Sequence, residues 1–285
     1  MTTGELRRLD PTDCGALLAP LHAELISLLR GLSDADWQRP TVAGSWRVRD
    51  VVAHLLDIDV RRLSFHRDSR AQPVPQELPP QSYAEQVDFL NALNREWVRI
   101  AERMSERVLV DLIEVTGPQV ASFLASLPPH ERAYWPVAWA GETESENWMD
   151  VGRDYTERWH HQAQLRDAVG APPLNDRRWL HPVLELSVRA LPHAFREIAA
   201  ADGDAFVVDI GGDAGGVWSL LREGGRWTLR AGDAPNAVAR ARLDADTAWR
   251  LFYNALARDS RARAVQVDGD PRFAEAFARV RSVMV

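Results

Sequence analysis

The strongest constraint on this chain is a change in hydrophobic period close to residue 172. Upstream, apolar side chains recur every three or four positions, the spacing of helices that bury one face. Leu17, Leu18, Leu21, Leu25, Leu28 and Leu29 mark one helix over 15–31, and Val48, Val51, Val52, Leu55, Leu56 and Leu63 mark a second from near Trp46 to about His66. Ser82 is placed to cap a third, through Val87, Leu90, Leu93, Trp97, Ile100 and Met104. The pattern resumes through Leu109, Leu112, Ile113, Val120, Phe123 and Leu124, where Pro118 predicts a kink or a break. A further helical run over 154–169 stops at Gly170. Downstream, after a helix over about 178–200, period-two runs appear at 205–210, 217–221, 226–230 and 238–243, separated by Gly-Gly and Gly-Asp turns. Asp246 is placed to cap a helix, 263–267 reads as another strand, and Pro271 opens a last helix. The expectation is an α+β chain of two domains. A bundle of four long amphipathic helices fills 1–172, and an α+β domain with an antiparallel or mixed sheet fills 173–285.

Composition excludes several classes. A net charge of −7 gives no reason to expect a nucleic-acid partner. No apolar stretch approaches the ~20 residues of a membrane span, and the N-terminus lacks the apolar core of a signal peptide, so a cytoplasmic protein is expected. The single Cys14 rules out an intramolecular disulfide and a Cys-rich zinc module, and it reads as a structural thiol. All 34 basic side chains are arginine. Absence of lysine excludes Schiff-base chemistry and a Walker lysine. The run 211–216 has no GK[ST] ending and reads as a hairpin turn, and 71–80 reads as a proline-rich loop.

Chemistry concentrates on the helix that ends at Gly170. Glu157 and His161 are four apart and share a face. At about 100° per residue, Asp150, Asp154, Glu157, His161, Gln164 and Ala168 form one line, with Trp148, Tyr155, Trp159 and Arg166 opposite. Either the polar line is wet and the aromatic line buried, or the polar line faces a cavity and the aromatics pack on a second domain. Periodicity alone does not choose. A carboxylate and an imidazole so placed can each give one bond to a divalent ion, and a third ligand would leave positions open, as in a catalytic site. His54 lies in the second helix, where a lone histidine ordinarily belongs to the core. His160 points away from His161 and reads as a group beside the site or on the surface. Asp57 and Asp59 read as solvated acids, and no elbow motif supports Ser/His/Asp catalysis.

The run from Trp139 to Glu142, followed by 155–170, resembles the last bundle helix of DinB-like metalloenzymes, and more narrowly that of the mycothiol-dependent maleylpyruvate isomerase family. The segment 46–57 resembles the helix that supplies that family's first histidine. Matched position by position, the resemblance implies His54, Glu157 and His161 as metal-ligating and catalytic residues. It also implies a C-terminal domain of the sterol-carrier-protein type. Zinc is the expected ion, with nickel, manganese or iron as alternatives, and mycothiol the expected cosubstrate. Arginine and alanine richness without lysine would fit an actinobacterial host, where mycothiol is the usual small thiol. In such relatives the thiolate adds to a cis alkene, rotation follows, and elimination gives the trans product. The leading expectation is an S-transferase that joins the thiol to a small electrophile. The isomerase is the alternative, and a non-catalytic metal- or ligand-binding stress protein is the reading from another class. Arg153, Arg158, Arg166 and Arg222 are candidates for holding an acidic substrate or thiol, and nothing in the sequence specifies an oligomeric state.

Overall fold

The structure is a computed structural model that describes residues 6–71, 82–256 and 264–284. The proline-rich loop falls almost wholly outside the described residues. Helix α1 spans Gly15–Arg30, the short α2 Asp34–Trp37, and α3 Val48–Arg61, which continues as a wider π-type turn over Arg62–Arg67. Next come α4 at Tyr83–Ala101, α5 at Glu106–Ala125 and α6 at Asn147–Val169. Two starts have a local cause in serine caps. Ser82 and Ser105 accept the free N–H groups of Glu85 and Val108. Gly170, at φ 70°, adopts the left-handed conformation that closes α6.

The bundle is formed by α1, α3, α5 and α6, which pack on one another in a ring. The long helix α4 lies outside that ring, against α3. It is fastened there by Trp97, whose indole N–H donates to the Ala53 carbonyl at 2.8 Å. The helical period identifies α4 correctly but cannot say which face finds a partner. Pro118 lies inside α5 and does not break it. The Gln119 side-chain amide donates to the Val115 carbonyl at 2.9 Å, supporting the turn that proline loosens. The expectation that no segment reaches membrane-span length needs correction. Among the described residues, α5 is long and apolar enough by length and composition alone. It packs against α1 and α3 and carries Glu106, Arg107, Asp111 and Glu114.

Beyond α6 come α7 at Arg177–Ser187 and a single turn, α8, at Leu191–Ala194, so the helix expected over 178–200 is broken and shorter. Among the described residues the sheet is six-stranded and mixed. Its strands are β1 Arg7–Arg8, β2 Ala205–Gly211, β3 Gly216–Glu223, β4 Arg226–Ala231, β5 Ala237–Asp244 and β6 Gln266–Gly269. Their order is β1-β4-β3-β2-β5-β6. Only β2 and β5 run parallel, with Val207 beside Arg240 and Asp209 beside Arg242. Residues 211–216 form the β2–β3 turn, as expected of a hairpin. Helix α9 at Ala245–Phe252 is capped by Asp244 rather than Asp246, and α10 spans Pro271–Ala278.

The proposed division at 172/173 lies in the connection between α6 and α7. One apolar cluster nevertheless runs across it, from Leu18 and Leu21 through Tyr155 and Trp159 to Trp249 and Phe252. Strand β1 also carries the start of the chain to the sheet edge. Tyr155 and Trp159 are 0% exposed, while Trp148 is half-buried. Tyr155 donates to the Trp179 carbonyl at 2.8 Å, and Trp159 meets the Trp249 ring edge-on at 5.6 Å. Burying one such aromatic removes roughly 150–250 Å² from water, an upper limit of about 4–6 kcal/mol at ~25 cal/mol/Å². This burial holds the back of α6 against the C-terminal part.

Candidate metal centre

The opposite side of α6 is buried as well, which an amphipathic helix does not predict. Asp150 and Asp154 are 0% and 1% exposed. Arg62, 2% exposed, grips Asp150 with two hydrogen bonds of 2.7 and 2.8 Å and gives its Nε–H to Asp154 at 2.7 Å. Arg153 donates to Asp150 at 2.7 Å. Arg158 joins Asp154 at 2.6 Å to Asp59 at 2.7 Å, and Thr116 donates to the other Asp59 oxygen at 2.6 Å. Burial alone would push the Asp154 carboxyl up, but Arg158, Arg62 and Arg153 outweigh it and hold the group below the usual range. Asp150 is lowered in the same way, burial being outweighed by Arg62 and Arg153. The expected solvation of Asp57 and Asp59 is therefore wrong. Both are buried, and Asp57 pairs with Arg61 at 2.8 Å. Arg153 and Arg158 are occupied by this network. Arg166 bonds Gln162, Glu24 and the Pro172 carbonyl, and Arg222 lies 5.5 Å from the Trp227 ring centre.

One turn further along α6 the network gives way to Glu157 and His161. His54 reaches them from α3, across the α3–α6 contact. One donor atom from each of the three lies within 4.8 Å of the others. His161 Nε2 is 3.6 Å from Glu157 Oε2, near the ~3.4 Å edge of a tetrahedron with ~2.1 Å bonds. The His54 and His161 rings meet edge-on at 4.9 Å, and Trp46 covers His54 at 5.0 Å. Glu157 keeps the largest opening, with 15% of its side chain exposed.

The electrostatics favour a neutral imidazole pair. Burial, helped by His160, lowers His161 to about 3, and burial with His161 and Arg61 nearby takes His54 well below the ordinary imidazole range. Burial pushes the Glu157 carboxyl up, against His161 and Arg153. Neutral imidazoles expose lone pairs, the form that coordinates a metal. His161 Nδ1–H donates to Gln164 Oε1 at 2.8 Å, which turns Nε2 toward Glu157. His54 Nδ1 is buried without a hydrogen-bond partner. Two imidazoles, one of them with a buried orphan nitrogen, and one carboxylate fit a divalent ion.

Sequence reasoning passed over Gln164 and Arg62. Gln164 was visible, three residues from His161 on the same face. Arg62 was not, because its partners lie 88 and 92 residues away. His160 is buried beside His161, and Cys14 is buried with its thiol pushed up by burial and by Asp13, as suits a structural thiol. Cavities open elsewhere as well. One of about 680 Å³ lies at the ends of β2 and β5, and one of about 330 Å³ lies beside His66 and Tyr134.

Comparison with known proteins identifies a family and a shared fold. An uncharacterized protein of Mycobacterium tuberculosis, found in two strains, is 27% identical over 212 residues, covering 73% of this chain and 77% of its own length. Crystal structures titled as the mycothiol-dependent maleylpyruvate isomerase and a point mutant of it superpose with TM-scores of 0.52 and 0.51, at 12% and 10% identity. Each covers 91% of this chain and 93% of theirs. Those two share the fold. The family model described as the mycothiol maleylpyruvate isomerase N-terminal domain matches residues 18–166, from within α1 through both proposed metal-bearing helices, and the chain belongs to that family.

Proposed function

We propose that this chain is a metal-dependent, mycothiol-using cis–trans isomerase of a small unsaturated acid of the maleylpyruvate type. The observation that carries the reading is the convergence of His54, Glu157 and His161 within 4.8 Å, inside the region the family model covers. A divalent ion held there, zinc by the donor set, would supply the Lewis acidity that keeps a thiol ionised at neutral pH, where a free thiol with a pKa of ~8.5 is mostly protonated. The chain's own part is to bind and orient. Gln164 fixes the His161 tautomer. Buried surroundings keep both imidazoles unprotonated, and the Arg62–Asp150–Asp154–Arg158 network clamps α6 to α3 so that ligands from two helices meet. Burial of His54 and His161, with Glu157 only 15% exposed, limits the water that would compete there.

In the proposed reaction the thiolate forms a C–S bond to the alkene, whose electrons move onto the conjugated carbonyl. Rotation about the resulting single bond follows. The electrons return, the C–S bond breaks, and thiolate leaves with the trans product. Thiol is thus regenerated, which separates this reading from an S-transferase. The family membership supports the isomerase more than the S-transferase expected from sequence. The test is to follow maleylpyruvate and free thiol together. Many turnovers per mycothiol with no net thiol loss are expected. Thiol consumed one for one with substrate would indicate a transferase, and equal rates without thiol would refute both.

A further inference from the structure

Neighbouring residues of a helix point about 100° apart, yet the His160 and His161 rings lie 4.0 Å apart, tilted by 38°. The converging donor atoms come from His54, Glu157 and His161, without His160. His160 is 2% exposed, and its Nδ1–H donates to the Thr156 carbonyl at 2.9 Å, which fixes its rotation. The Tyr253 ring covers it, stacked at 4.6 Å and 20°. Tyr253, just after α9, is 3% exposed. Ser187 gives its hydroxyl hydrogen to the Val183 carbonyl at 2.7 Å, so Tyr253 donates to Ser187 Oγ, at 2.9 Å. Ser282 in turn donates to the Ser187 carbonyl at 2.9 Å. Contacts thus run from the last residues of the chain through α7 and the end of α9 to an imidazole of the candidate centre.

A metal bond lies along the imidazole lone pair, so both the tautomer and the plane of the ring matter. Gln164 sets the tautomer of His161, but a single hydrogen bond leaves the ring free to swing about it. A ring packed against its face removes that freedom. We propose that His160 and Tyr253 are positioning residues of the metal centre. Through Tyr253 stacked on His160, the C-terminal part of the chain sets the plane in which His161 presents Nε2. This inference rests on the reading of His54, Glu157 and His161 as ligands. Docking of α9 on α6 has other support, from Trp249 against Trp159 and from Arg250 paired with Asp167. Loss of the stack should therefore leave the two parts of the chain joined.

The experiment is a Co2+ titration of the full-length protein against a competing chelator, with the visible d–d bands recorded. The parent, Tyr253→Leu, His160→Leu, Tyr253→Phe and His160→Phe are compared. Both leucine variants should lose about 10- to 100-fold in Co2+ affinity, the range for partners that orient a ligand, with shifted bands. Both phenylalanine variants keep a stacked ring and should retain the parent's affinity and bands. Leucine variants that bind like the parent, with unchanged bands, would overturn the proposal. So would phenylalanine variants that fall as far as the leucine ones. If Tyr253→Leu does not fold by circular dichroism, His160→Leu and the phenylalanine pair decide in the same way. A parent protein that binds no Co2+ would instead defeat the metal reading itself.

Discussion

Arg62→Met is the most informative stability perturbation, because the arginine is 2% exposed and joins α3 to α6 through two aspartates. Methionine keeps much of the side-chain volume, so the cavity contribution is small. The variant loses three charge-assisted hydrogen bonds of 2.7–2.8 Å. Removing one partner of a buried ion pair costs about 3–5 kcal/mol, since the remaining charge stays desolvated. Here Asp150 keeps Arg153 and Asp154 keeps Arg158, which favours the lower half, about 3–4 kcal/mol. The pH dependence follows from the lowered carboxyls. In the parent, their stabilisation is fully present above the unfolded Asp pKa of ~3.9 and is lost as pH falls through the lower folded values. Without Arg62 both carboxyls lose one of the charges that hold them down and rise, so protonation relieves part of the stranded charge. The cost should therefore be largest at pH 7 and clearly smaller at pH 4. Urea unfolding followed by tryptophan fluorescence at both pH values gives the two differences. A variant within ~1 kcal/mol of the parent at pH 7, or an equal difference at both, would refute the reasoning.

Three further outcomes are expected. Gln164→Leu strands the His161 Nδ1–H in a buried site and should cost about 1–3 kcal/mol of apo stability and about 10- to 100-fold in metal affinity, read by urea unfolding and chelator competition; an unchanged affinity would remove Gln164 from the account. The lowered imidazoles mean the folded apo protein binds fewer protons than the unfolded chain between pH ~6.5 and about 3, so apo stability should fall as pH drops below ~6.5. Metal binding at pH 7, in contrast, should release no proton from His54 or His161, and any weakening toward pH 6 should come from the raised Glu157 carboxyl; protonated His54 or His161 rings seen by NMR in the apo protein at pH 6 would contradict the burial argument. Gly117→Ala would place a Cβ 2.1 Å from the His22 ring, so it should lower stability by about 1–3 kcal/mol. His22→Ala in the same chain should recover part of that loss in thermal melts.

Much of the fold was legible because it is written in local periods. Helix boundaries at Ser82 and Gly170 and the strands of the main sheet follow from capping chemistry and alternation that neighbouring residues carry. The Glu157–His161 pair was visible for the same reason, and His54 only through resemblance, since its own apolar surroundings match those of any core histidine. What stayed hidden depends on distant residues. Asp150 and Asp154 look like a wet face until Arg62 closes on them from the end of α3, and Asp59 until Arg158 reaches it from α6. The ring of four helices without α4, and the pairing of Arg7 and Arg8 with β4, are choices among equivalent surfaces that no local pattern encodes. Tyr253 sits 93 positions from the His160 ring it covers, and its hydroxyl partner lies in α7.

His54, Glu157 and His161 are proposed to hold one divalent ion together. Elemental analysis of chelator-free protein, beside a Glu157→Gln/His161→Ala double variant, tests it directly. About one ion per parent chain is expected, and none in a variant that keeps the helical circular dichroism of the parent. A parent that stays metal-free after reconstitution, or a variant that retains the same stoichiometry, would contradict it.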